Sequence, residues 1–450
     1  MDPRLLAKYD VAAPRYTSYP TVPYWTDTQI DPKWWMNRVT DAYQADPAIS
    51  LYIHLPFCER LCTYCGCNKH ITKNHDLERP YLEAVLAEWK MYRSQLPGTP
   101  LLKEIHLGGG TPTFFHPDNL KWLLESILED LEVLPNADMG FEAHPNSTTD
   151  AHLEVLRKLG FNRISIGVQD FDDALMVLVN RHQTLDEILH CTDTARELGY
   201  TSVNYDLIFG LPKQTPEHIR KDADILERVL PDRLAFYSYA HVPWLKRSQC
   251  AYSEEDLPTG AAKRLLYETG RARLEAMGYT EIGMDHFALP SDGLTKSMHG
   301  GTMHRNFMGY TPYKTQLMLG LGVSAIADSW DGFVQNAKTI KEYQELVGAG
   351  QLPLFRGHAL TDEDQRIRKH ILRLMTRFST NWFDPADFDP VLEQALPRLQ
   401  PMLEDGLIEI APMEVRVTEA GRPFLRNICM AFDARYWRKQ PEGRLFSQSV

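Results

Sequence analysis

The most informative part of the chain is residues 51–68, with the sequence LYIHLPFCERLCTYCGCN. The apolar and aromatic run at 51–55 predicts a buried β-strand that ends at a proline. Cys58, Cys62 and Cys65 follow in the spacing Cys-x3-Cys-x2-Cys, on one short loop after that strand. A cubane cluster bound by four thiolates has no free position, whereas one bound by three leaves one iron open to a ligand. The spacing therefore predicts a 4Fe–4S cluster on these three cysteines.

An open iron predicts a second cofactor. It can chelate the amino and carboxylate groups of S-adenosylmethionine, and one-electron reduction then releases a 5′-deoxyadenosyl radical that abstracts hydrogen. Structural zinc is the alternative, but zinc sites usually add a second Cys-x2-Cys pair, which this sequence does not contain. Cys67 could be a fourth ligand by its spacing, yet a fourth thiolate would close the open iron. We therefore predict that Cys67 lies outside the ligand set.

Strand-like and helix-like segments alternate from about residue 50. The predicted strands are 51–55, 104–107, 139–143, 163–168, 203–208 and 234–239, and the predicted helices between them are 81–92, 118–131, 152–159, 185–198 and 217–229. This alternation predicts an α/β fold with parallel strands covered by helices, either an open sheet or a partial TIM-type (β/α)6 barrel. We favour the barrel, because polar or glycine residues follow each strand in turn.

Those residues share one expected location. The carboxyl ends of parallel strands meet at one rim, where sites are built. The residues that follow the strands are the Cys58 loop, Gly108-Gly109-Gly110, Glu142, Gln169, Asp206 or Gly210, and Ala240-His241. Consecutive glycines allow a ligand close to the backbone, and a carboxylate at position 142 can bind ribose hydroxyls or an ammonium group. Alternatively, the consecutive glycines form only a tight turn, and the carboxylate at position 142 lies only at a solvated strand end.

Charge and composition exclude some classes of function. The chain of 450 residues has a formal net charge of −12, which argues against general binding to nucleic acid. It has no run of about 18 apolar residues, so we expect no transmembrane helix and no membrane partner. The chain has seven cysteines, and this odd number argues against a disulfide framework. We see no signal peptide, so we expect a cytoplasmic protein.

The pattern of the chain suggests three parts. We expect an N-terminal arm at 1–49, a catalytic domain at 50–356 and a small C-terminal domain at 357–450. In the last part, predicted helices at 363–378 and 391–404 precede a hairpin at 406–417. That order is typical of a helical, winged-helix-like module.

Several motifs resemble oxygen-independent coproporphyrinogen III oxidase (dehydrogenase), a family of the radical S-adenosylmethionine superfamily. The resemblance covers nearly the whole chain and rests on CERLCTYCGCN at 58–68, RYTSYPT at 15–21, GVQDF at 167–171, DLIFGLP at 206–212, GMDHFA at 283–288, HRNF at 304–307 and NICM at 427–430. The three cysteines are typical of the superfamily. The 15–21 segment and the Cys-Gly-Cys-Asn continuation narrow the resemblance to this branch.

The resemblance implies an activity and a set of cofactors. The family converts two propionates of coproporphyrinogen III to vinyl groups, which gives protoporphyrinogen IX in haem synthesis, and it binds two S-adenosylmethionine molecules in one site. Carried over by position, the molecule on the cluster would contact Tyr52, Gly109, Glu142 and Ile326. The second would contact Tyr64, Gly110, Thr111, Gln169, Arg181, Asp206 and Ala240. We also expect a reductant or an electron-donor protein as a partner, and a monomeric enzyme.

The substrate suggests two further candidates, and the sequence departs from the family at two places. A substrate with four propionates needs cationic groups, and Arg15 and Arg305 are candidates for carboxylate forks. The departures are Ala143-His144, expected to touch the cofactor site, and 311–316, expected to touch the substrate mouth. They leave the exact tetrapyrrole open.

Two other functions are compatible with parts of the sequence. A haem-binding, chaperone-like relative would share the cysteine loop, but such relatives usually lack the 15–21 segment and Cys67. A DNA-binding regulator could act through the 406–417 hairpin, but a recognition face must be basic, and this region mixes arginines with Glu404, Asp405, Glu409 and Glu414.

Overall fold

The computed structural model describes residues 2–25, 30–244, 246–440 and 445–449. The α-helices are α1 Pro3–Tyr9, α2 Pro32–Ala45, α3 Glu78–Arg93, α4 Pro117–Leu128, α5 Asp150–Lys158, α6 Asp173–Leu178, α7 Leu185–Glu197, α8 Pro216–Val229, α9 Gly260–Ala276, α10 Gly293–His299, α11 Ile340–Gly348, α12 Asp362–Arg377, α13 Val391–Glu404, α14 Leu425–Phe432 and α15 Ala434–Arg438. The strands are β1 Ala48–Leu55, β2 Phe57–Cys58, β3 His70–Ile71, β4 Leu101–Gly109, β5 Glu132–Ala143, β6 Arg163–Gln169, β7 Ser202–Phe209, β8 Arg233–Ser238, β9 Thr280–Gly283, β10 His286–Ala288, β11 His304–Asn306, β12 Gly309–Thr311, β13 Leu317–Leu321, β14 Ile326–Asp328, β15 Gly332–Asn336, β16 Leu354–Ala359, β17 Ser379–Asn381, β18 Ile408–Ala411 and β19 Glu414–Val417. None of these helices is both long and apolar enough to span a bilayer.

The centre of the molecule is a parallel sheet in the order β1-β4-β5-β6-β7-β8. Helices α3, α4, α5, α7 and α8 lie between successive strands in the chain. The predicted α/β fold with a partial (β/α)6 barrel is therefore confirmed, and each of the six predicted strands overlaps one strand of this sheet.

The sheet is larger than the sequence indicated. It has 12 strands in all, because β13 pairs in parallel with β1 and leads into the antiparallel strands β14, β15 and β16. At the other edge, β10 and β9 pair antiparallel with β8. These additional strands have three to six residues, and no helix lies between β13 and β14 or between β14 and β15. They therefore lack the alternation of strands and helices that predicted the central six.

The two faces of the central strands differ in polarity. In β1, Leu51 and Ile53 are fully buried in the apolar core shared with the surrounding helices. The intervening side chains point into the barrel, since side chains alternate along a strand: the Ser50 hydroxyl donates to Glu104 at 3.2 Å, and Tyr52 stacks on His106 with ring centroids 6.2 Å apart. The barrel interior is therefore polar, which suits a ligand site at its upper rim.

The beginning and the end of the chain pack together. Tyr9, Tyr16 and Tyr19 belong to a second apolar core built mainly from α12, α13 and α14. The Tyr16 hydroxyl donates to Asp433 at 3.0 Å, and buried Arg426 donates to the carbonyl of Pro14 at 3.1 Å. The N-terminal segment is thus held by the C-terminal helices. The division of the chain at residues 49 and 356 stays a prediction.

The C-terminal region contains the elements that the sequence predicted. Helix α12 precedes a three-stranded antiparallel sheet in the order β17-β19-β18, and α13 lies in the chain between β17 and β18. Buried Arg368 of α12 donates to Asp328 at 3.1 Å and to the carbonyl of Trp330 at 2.8 Å. These bonds attach the helix to the end of β14 in the large sheet.

The close packing of β13 against β14 gives a first prediction. A Cβ atom at Gly320 would lie 2.2 Å from the carbonyl oxygen of Ile326. We expect Gly320→Ala to lower the free energy of unfolding by about 1–3 kcal/mol, because backbone has to move to relieve the overlap. Denaturant unfolding measures the change. Gly348→Ala is the control: a Cβ there meets no atom within 4 Å, and we expect equal or slightly greater stability. Equal losses in the two variants would contradict this packing.

Candidate active site at the strand-end rim

The cysteine loop is closed at its base by backbone hydrogen bonds. Strands β2 and β3 pair in parallel, with Phe57 opposite His70, so residues 58–70 form a loop whose ends meet. A ring nitrogen of His54 in β1 lies 2.9 Å from the carbonyl oxygen of Asn68. The amide N–H groups of Gly110 and Thr111 donate to the carbonyls of Leu55 and Phe57 at 2.8 and 2.9 Å. The loop is therefore fixed to the ends of β1 and β4.

The three predicted ligand cysteines line one cavity of about 370 Å³ at the rim. The Thr111 hydroxyl donates to Cys58 Sγ at 3.3 Å, and Arg181 Nη1 lies 3.7 Å from Cys62 Sγ. Such donors stabilise thiolates and cluster sulfides. Within the described ranges, no three His, Cys, Asp or Glu side chains converge on one metal ion. Cluster thiolates each bind a different iron, so the three sulfurs need only face the same cavity, and these residues fit a cubane.

Cys67 lies beside this group. The residue is exposed, and the hydrogen bond between its thiol and Cys65 lowers the pKa of Cys65 to about 5. By contrast, burial raises the pKa of the Cys58 thiol to about 11. The prediction that Cys67 is not a ligand stays open, because its thiol is close to the ligand set.

Each glycine of the 108–110 triplet lies where a side chain has no room. A Cβ at Gly108 would lie 2.9 Å from Glu142 Oε1, and one at Gly109, where φ is +116°, would lie 2.6 Å from the His54 ring. A Cβ at Gly110 would lie 2.5 Å from the backbone of Pro56. Gly110 is thus required for the contact between the end of β4 and the cysteine loop, because its Cβ would meet backbone atoms.

Glu142 ends β5 and faces the glycine triplet. Its Oε2 accepts a hydrogen bond from Gly109 N–H at 3.2 Å, and its Oε1 lies 3.5 Å from His106 Nε2. Burial raises the pKa of Glu142, but the hydrogen bond and the charge of His106 outweigh it, so the net pKa is lower than its usual value. The side chain is therefore a carboxylate at neutral pH, as the binding of an ammonium group requires.

A polar cluster forms the other side of the cavity. Buried Arg181 donates to the Tyr64 hydroxyl at 3.2 Å and to the carbonyl of Gly167. Asp206 accepts hydrogen bonds from Ser165 at 3.0 Å and from Asn204 at 2.9 Å. Burial, followed by the negative charge of Glu142, raises the pKa of Asp206 to about 6. Arginine and aspartate thus provide opposite charges on one wall.

Most of the predicted site residues converge as the parallel topology requires. The cavity is lined by Cys58, Cys62, Tyr64, Cys65, Gly109, Gly110, Thr111, Glu142, Gln169, Arg181 and Asp206. Tyr52, Ala240 and Ile326 are not among its lining residues. The Tyr52 hydroxyl lies 3.1 Å from His54 Nδ1, and Ile326 is the first residue of β14. Their assignment as cofactor contacts stays a prediction.

Gln249 is a site-supporting residue that the sequence did not reveal. It is almost fully buried, and its amide donates to the carbonyls of Tyr64 at 3.0 Å and Ala240 at 3.1 Å. Its Oε1 accepts the amide N–H of Val242 at 2.6 Å. One side chain therefore joins the cysteine loop to the segment after β8. Gln249 lies in a short 3-10 helix, Arg247–Ala251, which is too short to show a hydrophobic periodicity, so no sequence signal marks it.

The two segments that depart from the family pattern lie at different ends of the barrel. Ala143 and His144 line the cavity, as expected. The expectation for 311–316 is wrong: Thr315 Oγ1 lies 2.9 Å from Ser50 Oγ, near the beginning of β1. This segment leads into β13, which runs parallel to β1, so it lies at the end of the barrel opposite the cysteine loop.

The two candidate arginines have different environments. Arg15 is half-exposed, and it pairs with Asp285 at 3.3 Å and donates to the carbonyl of Ser238 at 3.2 Å. Arg305 is 6% exposed, and its Nε and Nη1 have no hydrogen-bond partner in the part of the chain that the structure describes. Its guanidinium lies 4.5 Å from the centre of the Tyr310 ring. Only Arg305 therefore combines burial with free donors.

Comparisons with known proteins give the class to which the chain belongs. The model of the Radical SAM superfamily matches residues 52–226, which include the cysteine loop and β1 to β7. The solved structure of coproporphyrinogen III oxidase from Escherichia coli, described as a radical SAM enzyme, has a TM-score of 0.90 and 36% identity, and the match covers 96% of this chain and 98% of that one. The fold and the rim thus define a radical S-adenosylmethionine enzyme.

Relatives identify the family within that class. An oxygen-independent coproporphyrinogen III oxidase from Pseudomonas aeruginosa is 38% identical over 439 residues, which cover 96% of this chain and 95% of that protein. Another from Escherichia coli is 37% identical over 455 residues, which cover 100% of this chain and 98% of that protein. The chain therefore belongs to the family of oxygen-independent coproporphyrinogen III oxidases. The alternatives of a haem carrier and a DNA-binding regulator are not favoured.

The glycine packing gives a prediction about cluster assembly. We expect Gly110→Ala to displace the cysteine loop, since its Cβ would overlap the Pro56 backbone, and to reduce iron incorporation several-fold. Gly66→Ala is the matched control within the cysteine loop itself, because a Cβ at Gly66 meets nothing within 4 Å. Iron and sulfide are measured after anaerobic reconstitution. Normal iron content in Gly110→Ala would show that this close approach is not needed.

Proposed function

We propose that the protein removes the carboxyl groups of two propionate side chains of coproporphyrinogen III and leaves vinyl groups, giving protoporphyrinogen IX. Each conversion releases carbon dioxide, passes one hydrogen atom from the carbon next to the pyrrole to the 5′-deoxyadenosyl radical, and passes one electron to a one-electron acceptor. The main support is the single rim cavity that brings three cysteine thiols together with Glu142, Arg181 and Asp206, in a chain of this family.

The residues of the rim have separate proposed roles. Cys58, Cys62 and Cys65 would hold the 4Fe–4S cluster, and Glu142 with the backbone of Gly109 would bind and orient S-adenosylmethionine. When bound, these cofactors supply the 5′-deoxyadenosyl radical that abstracts the hydrogen atom. The Thr111 hydroxyl and the Arg181 guanidinium would keep the thiolates of Cys58 and Cys62 anionic by donating to their sulfurs.

We also propose a second S-adenosylmethionine in the same cavity. Tyr64, Gln169, Arg181 and Asp206 form a wall that is distinct from the Glu142 side, and they offer both a cation and a carboxylate. Arg181 can pair with the methionine carboxylate, and Asp206 can accept from ribose hydroxyls. A titration by calorimetry at high protein concentration counts the bound molecules.

Arg305 is our proposed anchor for a substrate carboxylate. A buried guanidinium with unpaired N–H groups is costly, and a carboxylate would satisfy it. The site is near the cavity: Tyr237 lines the cavity, and its hydroxyl lies 3.3 Å from His286 Nε2. Burial and then Arg305 and Arg15 lower the pKa of His286 to about 3, so His286 stays neutral beside these arginines. Arg15, already paired with Asp285, would have a smaller role.

We further propose a monomeric enzyme in the cytoplasm. Three thiols that must remain free to bind iron need a reducing compartment. The partners would be the tetrapyrrole and a reductant.

Anaerobic turnover tests the proposed function directly. The reconstituted protein is incubated with S-adenosylmethionine, dithionite and coproporphyrinogen III, and the products are identified by mass spectrometry. We expect protoporphyrinogen IX together with 5′-deoxyadenosine. Formation of 5′-deoxyadenosine with an unchanged tetrapyrrole would reject the substrate, and tight haem binding without either product would support a haem carrier instead.

The cluster assignment predicts the effect of a cysteine variant. We expect Cys62→Ser to lose the reducible cluster and at least about 100-fold in turnover, because a hydroxyl is a poor ligand for iron. Cys250→Ser is the control, since Cys250 is exposed and outside the rim. Iron content and the visible spectrum are measured for both. Full turnover with a reducible cluster in Cys62→Ser would contradict the assignment.

The anchor proposal predicts a binding defect for Arg305→Gln. We expect the KM for coproporphyrinogen III to rise about tenfold or more, from the loss of a charge-assisted pair. The affinity for S-adenosylmethionine, measured by calorimetry, should remain unchanged. Arg15→Gln serves as the comparison and should raise KM less. Equal KM values in the parent and Arg305→Gln would show that no substrate carboxylate binds there.

A further inference from the structure

A group of cations lies beside the cysteine loop. The side-chain amide of Asn68, next to exposed Cys67, donates to the carbonyl of Lys338 at 3.1 Å. Lys338 is exposed and follows β15. Lys338 and Arg356 lie against the same ring, since Lys338 Nζ is 4.9 Å and the Arg356 guanidinium 5.9 Å from the centre of Phe355. Partial burial and then the positive charges of Arg356 and Lys246 lower the pKa of Lys338. Three cations from separate parts of the chain thus meet at the edge of the loop.

Within the described ranges, no carboxylate lies at ion-pair distance from Lys246, Lys338 or Arg356, although the chain as a whole carries a net charge of −12. Some other surface lysines do have such a partner, as Lys341 has in Glu345 at 3.8 Å. Unpaired like charges repel each other, so their concentration at one place suggests an external anionic partner.

Exposed aromatic rings accompany the cations. Phe355 is 40% exposed, and Lys338 Nζ lies 4.9 Å from its ring centre. Trp244 is 48% exposed and lies two residues before Lys246. Exposed aromatic rings and arginine are enriched at protein interfaces. We call Trp244, Lys246, Lys338, Phe355 and Arg356 the basic patch.

We propose that the basic patch docks an acidic electron-donor protein that carries a reduced flavin or iron–sulfur centre. The proposal rests on the proposed function, because the cluster needs one electron for each cleavage of S-adenosylmethionine. The donor centre loses one electron and the cluster gains it, with no other bond or proton changed. Docking at the patch places the donor next to Gly66 and Cys67, which are exposed residues of the cysteine loop.

Other anionic partners fit the patch less well. Nucleic acid needs a longer track of cations that follows successive phosphates. The substrate's carboxylates have free donors inside the protein at Arg305, next to the cavity. A folded acidic protein can satisfy three grouped cations and cover the two rings in one contact.

Direct binding tests the proposal. The probes are an oxidised flavodoxin and an acidic ferredoxin, each titrated into the reconstituted holoenzyme by calorimetry at low and at physiological ionic strength. We expect at least one to bind, with affinity that falls as salt is added. In the double variant Lys246→Glu/Lys338→Glu, we expect Kd for that donor to rise about tenfold or more. Iron content and the melting temperature confirm that the variant is folded and loaded.

A matched control separates a local effect from a change in net charge. Lys121→Glu/Lys158→Glu alters net charge equally on exposed helix positions, and it should change Kd by less than about twofold. The proposal is overturned if neither donor binds the parent, if both double variants weaken binding equally, or if the patch variant binds as the parent does. It is also overturned if the patch variant instead raises KM for coproporphyrinogen III with dithionite as reductant. Dithionite-driven turnover of the parent tests the proposed function separately.

Discussion

The site depends on the close approach of two backbone segments, the turn after β4 and the end of β1. Gly110 N–H donates to Leu55, and no side chain fits between Gly110 and Pro56. This contact holds the first cysteine beside the Thr111 hydroxyl, and it places Gly109 N–H where it donates to Glu142. The cysteine loop, the glycine turn and the first carboxylate are thus one unit, and the other strands add their side chains around it.

Much of the fold could be predicted because the central strands carry a strong local signal. Each is an apolar run, each is followed by an amphipathic helix, and this order requires parallel pairing. Strand β13 joins the same sheet but was not predicted: it is five residues long, contains Gly320, and no helix of the barrel type precedes it. The direction of β13 also explains why the placement of 311–316 was wrong. A segment's position in the sequence does not show which end of a barrel it reaches.

The candidate site was predictable to the extent that strand ends define it. Residues at the carboxyl ends of β4 to β7 must meet at one rim, so Glu142, Gln169 and Asp206 could be grouped from the sequence. Contacts made by residues outside the strands and their covering helices could not be predicted. Arg15 pairs with Asp285 across 270 positions, and Gln249 bonds Tyr64 across 185, without any periodicity that links them. The difference between Arg15, which is paired, and Arg305, whose Nε and Nη1 have no hydrogen-bond partner among the described residues, therefore required the structure.

The central claim is that three thiolates hold a cluster with one open iron for S-adenosylmethionine. The most direct measurement is the electron paramagnetic resonance spectrum of the anaerobically reconstituted and reduced protein, before and after S-adenosylmethionine is added. The account predicts about four irons and four sulfides per chain, and a cluster signal that changes when S-adenosylmethionine binds. A cluster signal that S-adenosylmethionine leaves unchanged, or a single zinc ion in place of iron, would contradict it.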